Sequence, residues 1–312
     1  MARANLVTFT AFRNEAEAIA LLERLRWPNG AACPHCGGAD PYRLKAGKSE
    51  SGKRGARCGL WKCSQCRKQF TVKVGTVFEQ SHIPVSKWLM AIHLIACSKK
   101  GMSAHQFHRM LGLTYRAAWF MAHRLRYAMS SNTGVFTKLT GIVEADETYV
   151  GGRRRKNAPS AKVPVVALVQ RKGHVVAWPM ERVTADTVGR AIEQHVAHTA
   201  TLMTDESSVY KSFTEAAGMK HETVNHSQDE YVRGNTHSNT VEGFFSLLKR
   251  GLNGTFHHVS KGHLHRYCDE FAFRYNTRTA MGVNDTERAE QIVLGAEGKR
   301  LTFKQPSGTR AA

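Results

Sequence analysis

Three acids in the second half of the chain stand where carboxylates could share a cation. Thr140 to Val150 reads Thr-Gly-Ile-Val-Glu-Ala-Asp-Glu-Thr-Tyr-Val, an extended run with carboxylates at Glu144, Asp146 and Glu147. Strand residues two apart share a face, so Glu144 and Asp146 point one way and Glu147 the other. A short strand, Thr201-Leu202-Met203-Thr204, delivers Asp205 at its C-terminal end. A helix over 237–250 puts Asn239, Glu242, Ser246 and Lys249 near one stripe and Phe244, Leu247 and Leu248 on another. Converging carboxylates suit two hard Mg²⁺ ions about 3.5–4 Å apart, one activating a nucleophile and the other stabilising the leaving oxygen of a phosphodiester. Taken singly each acid is weak evidence. The three in this order carry the reading, with Glu144 and Glu147 expected to support the site from outside it or to be solvated.

Five of the seven cysteines fall within residues 33–66, while Cys97 and Cys268 stand alone in apolar, helix-like surroundings. Two pairs share one spacing, Cys33-Pro34-His35-Cys36 and Cys63-Ser64-Gln65-Cys66. Each Cys-x-x-Cys can fold into a knuckle with both thiolates inward, and two knuckles complete a tetrahedral site for a structural Zn²⁺. Residues 59–72 read as two short strands flanking the second metal turn, the pattern of a zinc ribbon. A redox Cys-x-x-Cys needs only one pair and leaves the other unexplained. Cys58, five residues before Cys63, and His35, inside a knuckle turn, are expected to be bystanders. Between Pro41 and Gly75 ten Lys/Arg face Glu50 as the single acid, so the ribbon is a candidate phosphate binder; the plain alternative is a solvated basic loop.

The elements between these two sites are helical and basic. From Gln80 to Val143 there is no Asp or Glu, yet Lys87, Lys99, Lys100, Arg109, Arg116, Arg124, Arg126 and Lys138 are present. Val85 to Ser98 has helical apolar spacing, with Ser86 as a fair N-cap. Ser103 and Thr114 are natural N-caps for two helices separated by the turn at Gly112, the layout of a helix-turn-helix. Its second helix would enter a major groove, with Tyr115, Arg116, Trp119, His123 and Arg126 as DNA-facing candidates. An ordinary core hairpin is the competing interpretation, because Trp119, Met121 and Leu125 suit packing equally well. Beyond Thr140, strands over 163–170 and 174–183, a helix opened by Thr184 or Asp186 and running to about Thr199, the strand before Asp205 and the late helix follow in order. That order fits a ribonuclease-H-like core. The basic run Arg153-Arg154-Arg155-Lys156 adds a further DNA-contact candidate, and His263 to Arg278 reads as an aromatic core-packing helix.

Length and charge bound what the chain can be. Its 312 residues carry 45 Lys+Arg and 25 Asp+Glu, a formal charge of +20, with a hydrophobic fraction of 42% that can build packed cores. Full disorder is excluded. The longest apolar stretch, Trp88 to Cys97, falls short of a membrane span, and polar Arg3, Arg13, Asn14 and Glu15 stand where a secretory signal would need an apolar core. A cytoplasmic, nucleoid-associated protein with nucleic acid as its main polyanionic partner and no membrane association is the expectation.

The segments Asp146-Glu147-Thr148-Tyr149-Val150-Gly151-Gly152, Thr204-Asp205-Glu206-Ser207, His237 through Gly251 and His257-His258-Val259-Ser260 resemble the DDE transposases of bacterial insertion sequences. Within them the chain is most similar to the insertion-sequence family fifteen-ninety-five, with its ISXO-like transposase domain. The resemblance extends from about residue 10 to 290. It implies catalytic, cation-holding Asp146, Asp205 and Glu242, with Lys249 seven residues beyond Glu242 to hold a phosphate. Some relatives carry Asn as the third group; this chain offers both Asn239 and Glu242, and the carboxylate with its Lys partner is preferred. Expected cofactors are two Mg²⁺, with Mn²⁺ as a substitute, and one structural Zn²⁺. Expected partners are transposon ends and target DNA, contacted through Arg116, Arg126, Arg153, Arg154, Arg155, Lys249 and Arg250, and further copies of the chain in a homodimer or higher oligomer. The implied fold class is α/β (α+β), a ribonuclease-H-like catalytic core preceded by a zinc ribbon and a helix-turn-helix-like segment. The expected divisions are 1–80 (ribbon at about 30–75), 81–135, 136–290 and a 291–312 tail. The implied reaction is strand cleavage and 3′-hydroxyl transfer. A zinc-ribbon regulator with a degenerate core, or a nuclease with the same core but no strand transfer, is the rival. His257 and His258 are expected to be structural loop residues.

Overall fold

The computed structural model describes residues 10–45, 57–130, 138–151, 162–205, 208–224 and 239–303. The chain divides into two compact units, one made of Met1–Ser98, Met102–Met129 and Asn284–Ala312, the other of Lys99–Gly101 and Ser130–Val283. Ribbon and helical segment therefore share one unit, and residues from 284 onward return to it. Among the described residues no helix is long and apolar enough to cross a membrane.

In the first unit, α1 (Glu15–Arg26) is capped by Asn14, whose side chain accepts from Ala16 N and Glu17 N. The antiparallel ribbon sheet β1 (Pro41–Arg43), β2 (Trp61–Cys63) and β3 (Gln69–Phe70) follows. Then come α2 (Val85–Cys97), α3 (Ala104–Leu111) and α4 (Tyr115–Ala128). Ser103 caps α3 with a capping box through Gln106, Gly112 closes it at φ +58°, and Thr114 caps α4. Ser86 does not cap α2. It lies inside the first turn, where Glu15 accepts from Val85 N, Ser86 N and Ser86 Oγ, so a carboxylate on α1 caps α2 from 70 residues away.

The second unit is built on a five-stranded sheet. Its strands are β4 (Ile142–Val150), β5 (Val163–Gln170), β6 (Val175–Pro179), β7 (Thr201–Asp205) and β8 (Lys220–Val224), in spatial order β6-β5-β4-β7-β8. The first three pair antiparallel, β7 pairs parallel with β4 and β8 parallel with β7, the arrangement of a ribonuclease-H-like core. Val-rich β5 is buried along seven of its eight residues, as a strand covered on both faces must be. On one face α5 (Ala185–His195) and α6 (Ser208–Ala217) pack over Val143, Ala145, Leu168 and Leu202. On the other, α7 (Asn239–Gly251) and α8 (Leu264–Asn276) pack over Val165, Ala167 and Val169 through Phe244, Leu248 and Phe271. The final helix, α9 (Asp285–Leu294), belongs to the first unit, where it packs on α1, α2 and α4. This helix runs across the 290/291 division expected from the sequence.

Gly251, the last residue of α7, has no room for a side chain: a Cβ there would stand 1.9 Å from Phe271 Cζ. Gly251→Ala is expected to destabilise the second unit by about 1–3 kcal/mol through overpacking. Urea unfolding followed by circular dichroism checks this, and an unchanged midpoint would mean that Phe271 moves aside freely.

Candidate active site and metal centre

The register of two neighbouring strands assembles the acids. β4 and β7 run parallel with Ile142 opposite Thr201, Val143 opposite Leu202 and Glu144 opposite Met203. Continued by two residues, that register sets Asp146 beside Asp205. Val143 and Leu202 share the α5/α6 face, so Asp146 and Asp205, an odd number of residues further on, share the other, α7 face. Glu147 alternates away and accepts from the buried Tyr210 hydroxyl of α6 at 3.0 Å. Glu144 and Asp146 thus do share a face, with Glu147 opposite.

Glu242 enters from α7. Burial pushes the Asp146 carboxyl up to about 7; the charges of Asp205, Glu147 and Glu242 push the same way, and the N–H of Glu147, bonded to Asp146 Oδ1 at 2.7 Å, opposes them. Asp146 on β4 therefore feels the charges of Asp205 on β7 and Glu242 on α7. Among the described residues the His, Cys, Asp and Glu ligand atoms that already lie close enough together for one metal ion are those of the four ribbon cysteines, so the acids are neighbours in charge and not a closed cage. Burial also raises the Glu147 carboxyl, as does the charge of Asp205, while the Tyr210 hydroxyl lowers it.

Glu144 is neither solvated nor loosely attached. It is 0% exposed; its Oε2 accepts from Thr240 N at 2.8 Å and Val241 N at 3.0 Å, and its Oε1 from Thr240 Oγ1 at 2.8 Å and Arg171 Nε at 2.6 Å. The only sequence signal for this was its shared face with Asp146.

The basic candidates separate by exposure. Lys249 and Arg250 are exposed on the last turn of α7, and Arg250 Nε donates to Ser246 O. Asn239 is exposed at the first residue of that helix. Arg116 is exposed on the first turn of α4, its guanidinium 4.3 Å from the Phe303 ring centroid, and Tyr115 beside it is also exposed. Arg126 is 2% exposed and donates to Met102 O, and His123 is 1% exposed against Trp119. Tyr115 and Arg116 are the exposed residues of α4, and its later turns pack wholly or partly into the unit; Arg126 is thus buried where a DNA-facing side chain was expected. Arg153, Arg154 and Arg155 lie outside the described residues. His257 and His258 are exposed after the π-turn Leu252–Phe256, with His257 at φ +59°.

In the ribbon, Sγ atoms of Cys33, Cys36, Cys63 and Cys66 all lie within 4.8 Å of one another. Cys33 and Cys66 stand 3.7 Å apart, Cys36 and Cys63 3.6 Å. A tetrahedron with Zn–S bonds of about 2.3 Å has edges of about 3.8 Å, so the four thiols fit that ion. Cys58 and His35 are not part of the cluster; His35 instead packs edge-on to Phe70. Trp27 and Trp61 complete the small core around Phe70.

Residues 138–276 match a family model described as an ISXO2-like transposase domain, and residues 13–69 match one described as a transposase zinc-ribbon domain. The chain is 27% identical over 290 residues to an "Uncharacterized protein in transposable element ISH50" of Halobacterium salinarum, an overlap covering 86% of this chain and 93% of the relative. The two matched segments coincide with the ribbon and with the sheet-based core.

Proposed function

We propose, on the premise that the chain belongs with the transposases that pair a zinc ribbon with an ISXO2-like domain, that it cuts and joins DNA at the ends of an insertion sequence. The observation that carries this reading is the β4–β7 register that sets Asp146 beside Asp205, with Glu242 on α7 near enough for its charge to act on Asp146. The relative's place in a transposable element supports it. Asp146, Asp205 and Glu242 would hold Mg²⁺, and the bound ions would supply Lewis-acid stabilisation of charge on the attacking and leaving oxygens. Lys249, seven residues and nearly two turns beyond Glu242, follows the same stripe and offers a cation to a phosphate approaching the acids. Arg250 adds a second cation to the last turn of α7. No protein nucleophile is needed, since water or a DNA 3′-hydroxyl attacks in line. The exposed first turn of α4, with Tyr115 and Arg116, and the basic ribbon supply the DNA-end contacts, and the net charge of +20 favours them.

Incubating the full chain with a duplex carrying the element's end, with and without Mg²⁺, tests this reading. Strand scission at the end and a longer joined product are expected only with the metal. Metal-independent cleavage or none would overturn the proposal, and scission that never yields a joined product would make the protein a nuclease.

A further inference from the structure

The helix that carries Glu242 begins on a residue outside the cation cluster. We infer that Glu144 is a positioning residue: its buried carboxylate grips the first turn of α7 and sets where Glu242 stands relative to Asp146. This inference rests on the reading of Asp146, Asp205 and Glu242 as the cation-holding set.

The first amides of a helix have no intrahelical acceptor, and a carboxylate at that end satisfies them while meeting the positive end of the helix dipole. Thr240 N and Val241 N both donate to Glu144 Oε2, and Thr240 Oγ1 donates to Oε1. Arg171 Nε, at the start of the β5–β6 turn, donates to the same Oε1, so a cation balances the buried charge. With four donors around two oxygens, the carboxylate can shift only by breaking a bond, and each break would leave a buried polar group unsatisfied. Glu144 and Asp146 are fixed to one strand at a spacing of two residues, whereas Thr240, Val241 and Glu242 are fixed to one helical turn. The clamp therefore ties the third acid to the first through a rigid path of two side-chain-to-backbone bonds. Among groups that orient cation ligands from behind, such anchors typically change affinity or activity by about 10- to 100-fold when removed.

Glu144→Gln keeps the volume but replaces one oxygen with a donor, which must face either Arg171 or the helix amides. Because Thr240 N and Val241 N lack intrahelical acceptors, their hydrogen exchange reports the clamp directly. In the metal-free full chain that exchange is expected to rise at least about 10-fold at those two amides. Mn²⁺ titrated without DNA and followed by electron paramagnetic resonance is expected to bind about 10- to 100-fold more weakly. End binding should stay within about two-fold, since Glu144 is buried away from DNA. Unchanged exchange at both amides would overturn the inference, as would faster exchange with unaltered Mn²⁺ affinity, which would make Glu144 a purely structural cap. If Glu144→Gln does not fold, Thr240→Val deletes the Oγ1 bond alone and should weaken Mn²⁺ binding to a smaller degree; no weakening overturns the inference. Wild-type protein that binds Mn²⁺ yet cuts no DNA would sink the proposed function and leave the clamp standing.

Discussion

Asp146→Asn is expected to abolish metal-dependent cleavage of an end-containing duplex while end binding persists. The loss should be at least about a thousand-fold, roughly 4 kcal/mol of transition-state stabilisation. The Asp146 carboxyl is raised to about 7 by burial, and the charges of Asp205, Glu147 and Glu242 act on it in the same direction. An amide in its place lacks the charge that a hard cation needs and offers one oxygen instead of two. DNA affinity should hold or rise slightly, because the substitution removes a negative charge that repels phosphate. Asp205→Asn should behave alike. For the third position, Glu242→Gln should inactivate and Asn239→Ala should not, which distinguishes the two candidates on the first turn of α7. Denaturing gels of strand products and mobility-shift titrations on the same preparations check each variant. Full cleavage by any one of the three acid variants removes that residue from the set.

What the sequence made legible was local, and what it concealed was long-range. Alternation along 140–150 was enough to separate Glu144 and Asp146 from Glu147, because strand geometry fixes which side chains share a face. Ser103, Thr114 and Thr184 were readable as caps because each bonds an amide three residues on. Two equal Cys-x-x-Cys spacings identified the four clustered thiols without Cys58. Ser86 misled because the actual cap of α2, Glu15, is 70 residues upstream of Val85, and Glu144 was undervalued because the first helix amide it binds, Thr240 N, lies 96 residues later. In both cases a tertiary partner fills the role a local side chain usually plays. Arg126 and His123 failed as surface candidates for a related reason. Helical period shows that α4 has faces, but not what covers them: α3 packs along it, α9 from the far end of the chain also touches it, and Arg126 bonds Met102 O just before α3.

Stripping the metal, or Cys63→Ser, is expected to unfold the ribbon and leave the sheet-based unit intact. Three strands of three, three and two residues cannot stand alone, and the core between them is little more than Trp27, Trp61, Phe70 and the cysteines. Some support comes from α1: Glu23 accepts from Arg43 and from Trp61 Nε1, and Arg26 donates to Val72 O and Val74 O. These bonds are partly exposed or single, worth about 1 kcal/mol each, against about 10–16 kcal/mol of apparent binding energy for a structural zinc. The wild-type chain should therefore release one zinc on chelation, and the amide of Cys63, bonded to Lys68 O across the knuckle, should lose its protection from exchange. End binding should fall with it, since the ribbon's basic residues lose their arrangement. Cys58→Ser should keep the full zinc content, because Cys58 is exposed and outside the cluster. Retained protection at Cys63 after complete chelation would show that α1 and the aromatic core hold the ribbon without a metal. In that case the four thiols would be placed by packing, and their near-tetrahedral spacing would need another cause.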